Sequence, residues 1–360
     1  MVVKKIKLQK LEKISISRAK TLREAFATMD SDLVRLLCIR EGEHYYGIIS
    51  AGDIQRAIIA NKSLDSPVSE SLRSNVRVAS TSDSFPAIKN LMLKFRTEFM
   101  PVLDQEGALV DVHFWDDVFP TSKPESGKID LPVVIMAGGK GTRLKPFSNI
   151  LPKPLFPLGE KTIAETIMDR FHDVGSRKFW MSVNYRHQMI KTYFDLLDDQ
   201  YNIEYFIEDQ PLGTAGSLTL LKEKITETFF VSNCDIIIEA DYSEIVDYHR
   251  EQKNEITMVT SLKHVQIPYG TVETGEGGQV QSLVEKPELT FMVNAGFYVL
   301  EPHLLDEIPE GKFYHITQLI ELVRSRKGRV GAYPVSERSW RDIGEWAEYR
   351  KTLGDFGGGL

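Results

Sequence analysis

The chain has 360 residues, 42% of them hydrophobic, with a formal net charge of -7 and a pI near 5.7. That length and apolar content support more than one folded core, and the acidic balance excludes a surface that attracts nucleic acid or an anionic membrane by charge alone, so phosphate binding must be local. No stretch reaches the roughly 20 apolar residues of a membrane span, and the two cysteines, Cys38 and Cys234, are far apart and lack metal-ligand spacing, which excludes a disulfide framework. A soluble, cytoplasmic protein without nucleic-acid or membrane partners is expected.

The first part of the chain carries an internal repeat. Leu22 aligns with Phe85 and Asp53 with Asp116 at one constant offset, at which Ala25 meets Ile88 and Met29 meets Met92. Both copies therefore place apolar residues on one helix face. A short apolar strand follows in each, Leu36–Ile39 and Phe99–Val102, then a turn and a second strand. The first copy closes on Gly47-Ile48-Ile49-Ser50-Ala51-Gly52-Asp53 and enters a helix with Ile54, Ala57 and Ile58 in apolar spacing. Over roughly residues 9–118 the chain so resembles a pair of CBS domains, small β-α-β-β-α modules that pack in twos, and the domain is set at 1–118. The resemblance implies a regulatory or oligomerising role, a homo-oligomer, and an adenine nucleotide met by Ser50, Asp53 and Asp116. The second copy has His113 where the hydroxyl belongs, and packing alone explains the pair as well as nucleotide sensing does.

Residues 119–130 are polar and rich in turn formers, and read as a linker. From Leu131 to 355, buried strands alternate with helical periods, the pattern of an α/β domain with a doubly wound, mainly parallel sheet. Val133–Ala137, Lys178–Val183, Ile203–Ile207, Phe229–Ser232 and Ile256–Ser261 read as strands, and Ile190, Tyr193, Phe194 and Leu197 mark an amphipathic crossover helix. The turn Gly275–Gly278 between Gly270–Thr274 and Val280–Val284 predicts an inserted hairpin. Residues 356–360 read as a flexible tail.

Directly after the first strand comes Ala137-Gly138-Gly139-Lys140-Gly141-Thr142-Arg143-Leu144. Glycines let backbone N–H groups approach an anion, and Thr142 and Arg143 add a hydroxyl and a guanidinium fork, so the run reads as a phosphate loop. Neither the Walker spacing nor the dinucleotide fingerprint fits it. In Pro152-Lys153-Pro154 the prolines limit the backbone around one cation. Together the two motifs resemble the nucleotide-sugar pyrophosphorylases, or sugar-phosphate nucleotidylyltransferases, over residues 131–350.

Further motifs of that family follow in order: Glu208-Asp209-Gln210-Pro211-Leu212-Gly213-Thr214-Ala215-Gly216, then Asn233-Cys234-Asp235, Glu285-Lys286-Pro287, Asn294-Ala295-Gly296 and Trp340-Arg341-Asp342-Ile343-Gly344. The resemblance implies nucleotide binding by Ala137, Gly138, Gly139, Gly141, Thr142, Gln210, Gly213 and Thr214. It implies sugar binding by Gly270, Glu285 and Asn294, catalytic cations at Arg143, Lys153 and Lys286, and Mg2+ on Asp235 and Asp342. Helix capping would explain either aspartate as well, and Cys234 reads as a packing residue.

The implied substrates are a nucleoside triphosphate and a hexose or hexosamine 1-phosphate. GTP is the expected donor, because the Pro211–Gly216 loop is most similar to guanylyltransferases acting on mannose or related sugars in surface-glycan synthesis. Uridylyl or cytidylyl transfer stays open, as does a catalytically inactive, nucleotide-sensing regulator. A non-sugar nucleotidyltransferase would lack the Glu-Lys-Pro and Asn-x-Gly motifs.

Overall fold

Val133, Val134 and Ile135 are all without exposed surface. Alternate side chains of a strand point to opposite faces, so a run of buried residues requires cover on both sides. In the computed structural model, which describes residues 11–31, 34, 36–59, 61–72, 76–97, 99–119, 129–197 and 201–355, Val133 and Ile135 join one core with Phe171, Phe179, Phe230 and Phe297. Val134 faces the other way, into a core with Trp180, Phe229, Tyr298 and Leu319.

The chain divides into two compact units, one of Met1–Val118 with Lys263–Phe291 and one of Phe119–Leu262 with Met292–Leu360. The hairpin segment, internal to 131–355 in sequence, thus packs with the first unit. Of the linker residues, 120–128 lie outside the described part, as does the tail 356–360. Phe119 and Ile129 are buried, and the Ile129 N–H donates to Val174 O at 2.7 Å.

The second unit is built on a seven-stranded sheet. Its spatial order is Asn202–Ile207, Lys178–Val183, Val133–Met136, Phe229–Asn233, Glu288–Leu300, Ile256–Gln266, Val330–Val335. The first four strands run parallel, and Glu288–Leu300 runs antiparallel to Phe229–Asn233. Strand order therefore reverses between Val133–Met136 and Phe229–Asn233, and the crevice beyond their carboxyl ends is where open α/β sheets gather ligands.

The first unit contains the same topology twice. Ser15–Ile16, the helix Leu22–Ser31, Leu36–Glu41, His44–Ser50 and the helix Ala51–Ile59 are matched by Ala79–Ser80, Phe85–Phe95, Phe99–Leu103, Leu109–Phe114 and Trp115–Val118. Each copy pairs its first two strands parallel and its last two antiparallel. Cys38 and Ile48 of one copy share a core with Phe99, Leu109 and Val112 of the other. Both cysteines are buried and free, and burial pushes each thiol up to about 12, so neither is a thiolate at neutral pH.

At the far end of the sheet His249, 1% exposed, lies between the Thr257 hydroxyl at 2.8 Å and the Glu301 carboxylate at 3.0 Å. Burial holds its pKa below the ordinary 6.5, Arg250 acts the same way, and Glu301 opposes. The unfolded chain then takes up the proton first as pH falls, so stability is retained above about 6.5 and declines below it, by at most about 1.4 kcal/mol per pH unit for one proton. Melting followed from pH 7.5 to 5.5 should show a shallower decline in His249→Gln than in the wild type. Equal slopes would remove His249 from the pH response.

Candidate active site

Two loops leave the carboxyl ends of the strands at the reversal. Residues 137–144 follow Val133–Met136, where Ala137 is buried and its N–H donates to Ser182 O at 2.9 Å. Asp235 follows Phe229–Asn233, in the turn into the short strand Ile236–Ile238. That strand pairs antiparallel with Trp340–Asp342, Ile236 opposite Asp342, and the Ile343 N–H donates to Asp235 O at 2.8 Å. This ladder sets Asp235 and Asp342, distant in sequence, side by side, and neither caps a helix.

Lys153 stands at the start of a single turn, Lys153–Leu155, behind Pro152 with φ −64° and ψ 143°. It is 7% exposed, and its Nζ forms an ion pair with Asp235 Oδ2. Burial, then the charge of Asp235, raises the Asp342 carboxyl above its usual range, while the Gly344 N–H, Lys153 and Arg143 pull it back. The Gly344 N–H donates to Asp342 Oδ1 at 2.8 Å. A Cβ on Gly344 would stand 2.6 Å from that oxygen and 3.0 Å from Arg143 Nη2, so the bare backbone leaves room there for both the carboxylate and the guanidinium. Arg143 also meets Glu345 at 3.5 Å and is otherwise open to solvent. Paired hard oxygen donors with more negative charge than the lysine offsets suit a divalent ion such as Mg2+.

The Gln210–Gly216 loop is held from below. Glu208, 7% exposed, accepts from the Ser182 hydroxyl and from the Leu212 N–H at 2.9 Å. A Cβ on Gly138 would lie 2.9 Å from the same carboxylate. Glu208 thus fastens the second loop to the strand Lys178–Val183, with Gly138 of the first loop close beside its carboxylate, although sequence reading assigned it no role; the available signal was a carboxylate immediately after a strand. At Gly213, φ is +76° and a Cβ would stand 2.8 Å from Tyr314 O, so glycine is required there for backbone reasons. The Thr214 hydroxyl accepts from the Ile316 N–H at 3.1 Å, and Gln210 Nε2 reaches Gly311 O at 3.4 Å. Gly139 and Thr142 lie on the first loop, and Gly141 turns there at φ +61°. Asn294 Nδ2 donates to the Tyr298 hydroxyl at 2.8 Å.

Gly270, Glu285 and Lys286 belong to the first unit, flanking the hairpin Thr271–Thr274 with Val280–Val284. A Cβ on Gly270 would stand 2.8 Å from Glu285 Oε2, and the Lys286 N–H donates to Tyr269 O at 3.2 Å. In the same unit Ser50 and Asp53 serve each other: Asp53 Oδ2 accepts from the Ser50 N–H at 2.8 Å and hydroxyl at 2.6 Å, while Ser50 Oγ accepts from the Asp53 N–H at 3.3 Å. Asp53 Oδ1 is paired with Arg56. This is a reciprocal helix cap. The side chain of Asp116 lies outside the described part. Elsewhere, Glu255, His303 and Glu307 could together reach one cation, but Arg326 donates to Glu255 at 3.0 Å and to Glu307 at 2.8 Å and supplies the positive charge itself.

A family model for nucleotidyl transferases matches residues 132–355. The chain belongs to that family. It is 33% identical over 182 residues to the mannose-1-phosphate guanylyltransferase catalytic subunit beta of Drosophila pseudoobscura pseudoobscura, which covers 49% of this chain and 49% of that protein. It is 30% identical over 234 residues to the mannose-1-phosphate guanylyltransferase of Mycobacterium tuberculosis, 63% of this chain and 65% of the relative. The chain thus spans from 49% to 65% of the length of these two curated relatives. Crystal structures of HddC from Yersinia pseudotuberculosis, one of them complexed with GMP-PN, are 26% and 25% identical with TM-scores of 0.50, and each covers 63% of this chain and 99% of its own. The mixed sheet with a largely parallel centre is that of a nucleotidyl transferase.

Proposed function

We propose that this nucleotidyl transferase moves the nucleotidyl group of a nucleoside triphosphate, with GTP the expected donor, to a hexose or hexosamine 1-phosphate, releasing pyrophosphate and forming a nucleotide sugar. The observation that carries this reading is the meeting of Asp235, Asp342, Lys153 and Arg143 at the strand-order reversal. The guanylyltransferase relatives and the GMP-PN complex of HddC support GTP.

In the reaction an oxygen of the sugar phosphate attacks the α-phosphorus, and the bond from that phosphorus to the β-phosphate oxygen breaks. The attacking phosphate is ionised at neutral pH, so no general base is needed. The task is to bring two polyanions together. Arg143 would meet the β- and γ-phosphates with the glycine loop, and Lys153 and Lys286 would flank the reacting phosphates. Asp235 and Asp342 would hold Mg2+, which when bound offsets phosphate charge. Glu285 and Asn294 would take the sugar hydroxyls.

Pyrophosphate release measured for four nucleoside triphosphates against a panel of hexose 1-phosphates tests the reading. GTP with a mannose-type sugar phosphate should lead the panel, and no release with any pair would overturn it. Arg143→Ala and Lys286→Ala should each slow transfer about a hundredfold, equivalent to some 3 kcal/mol. Wild-type rates in either variant would take that residue out of the site.

For the first unit we infer a CBS pair that assembles or regulates the enzyme. The doubled β-α-β-β-α topology supports the fold, whereas the mutual cap of Ser50 and Asp53 already accounts for both residues without a ligand. Calorimetry of AMP, ADP and ATP on the full chain carrying Asp235→Asn separates the roles: heat of binding supports sensing, and its absence leaves assembly.

A further inference from the structure

Lys153 and Asp235 are both nearly enclosed, with 8% and 14% of their side chains exposed, and they are paired directly. Asp342 stands beside them because Ile236 registers opposite it and the Ile343 N–H is bonded to Asp235 O. Two carboxylates in one recess need positive charge, and the Lys153 ammonium, paired with Asp235, supplies part of it. The Lys153 backbone is pinned by Pro152 and Pro154, but its ammonium is a compact charge on a flexible four-carbon stem, so the head group can move while the chain stays put.

We propose that Lys153 is a place-holding cation on Asp235, that a divalent ion binding the two aspartates displaces it, and that the freed ammonium turns to the substrate phosphates. The proposal rests on the reading of Asp235 and Asp342 as the metal-holding pair. An ammonium on Asp235 Oδ2 and a divalent ion on the same carboxylate repel each other, so each weakens the other's hold. A displaced, largely buried ammonium is costly without an anion, and a phosphate oxygen supplies one. Metal and nucleotide then favour each other's binding through a single side chain, and linkage makes that coupling reciprocal.

Mn2+ serves as the probe, followed by its paramagnetic signal on the full chain in the absence of nucleotide. Lys153→Met keeps the length of the stem and removes the competing charge, so it should bind Mn2+ roughly tenfold more tightly than the wild type. Lys153→Arg should bind it no more tightly than the wild type. In the wild type, labelling of Lys153 by an amine-reactive reagent, read by mass spectrometry, should rise when Mn2+ is added; this measurement decides the matter if Lys153→Met does not fold. Equal or weaker Mn2+ binding by folded Lys153→Met, or labelling of Lys153 indifferent to Mn2+, overturns the exchange while leaving the metal site standing. Mn2+ binding unaltered by both Asp235→Asn and Asp342→Asn removes the metal reading itself, and the exchange with it.

Discussion

Asp235→Asn and Asp342→Asn are each expected to lower kcat about a thousandfold, some 4 kcal/mol of transition-state stabilisation, with the fold retained. Their effects on stability should differ in sign. Asp342 carries a carboxyl pushed upward by burial and by Asp235, so its amide relieves repulsion and should leave the melting temperature unchanged or raised. Asp235 is the partner of a buried lysine, and removing its charge leaves that lysine uncompensated, which is destabilising. Steady-state kinetics beside thermal melting checks both halves. A kcat within tenfold of the wild type in either variant would contradict the metal assignment.

Phe171→Ala should cost about 4 kcal/mol of stability, the upper range for a large buried ring. Phe171 has no exposed surface, and its ring lies 5.2 Å from Phe230, 4.9 Å from Tyr242 and stacked at 5.5 Å on Phe297. These four rings come from the helices Ile163–Asp173 and Tyr242–Glu251 and the strands Phe229–Asn233 and Glu288–Leu300, the last two of which lead to Asp235 and carry Asn294. Loss of the ring therefore loosens the support of the site as well as the core. Urea unfolding measures it, with Phe171→Leu expected to lose much less; a loss under about 1 kcal/mol for the alanine variant would mean that the cluster is not packed as described.

What was legible in the sequence follows from local physics. Lys178–Val183 was found at its observed bounds because its interior is apolar on both faces. The hairpin was found because Gly275–Gly278 interrupts two strands. The repeat in the first unit was visible as a shared helix face, and its strands pair alike in both copies. What was hidden is long-range pairing. Nothing local in Ile236–Ile238 says that it will pair with Trp340–Asp342, yet that ladder makes two separate aspartates into one site. Gly213 lies in a loop that the family resemblance gives to the nucleotide, and nothing local shows that its bare backbone also makes room for Tyr314. The packing of Lys263–Phe291 with the first unit and the mutual cap of Ser50 and Asp53 are likewise decided by tertiary neighbours and side-chain geometry that spacing does not reveal.

In the proposed reaction a sugar phosphate takes the α-phosphorus of the triphosphate, and isotopic labelling follows that atom directly. With GTP and mannose 1-phosphate in the presence of Mg2+, phosphorus label placed at the α-position should appear in a nucleotide sugar, and label placed at the γ-position should appear in pyrophosphate. Recovery of the α-label only in unchanged GTP or in free nucleotide, with no labelled sugar nucleotide from this or any other hexose 1-phosphate and triphosphate, would contradict it.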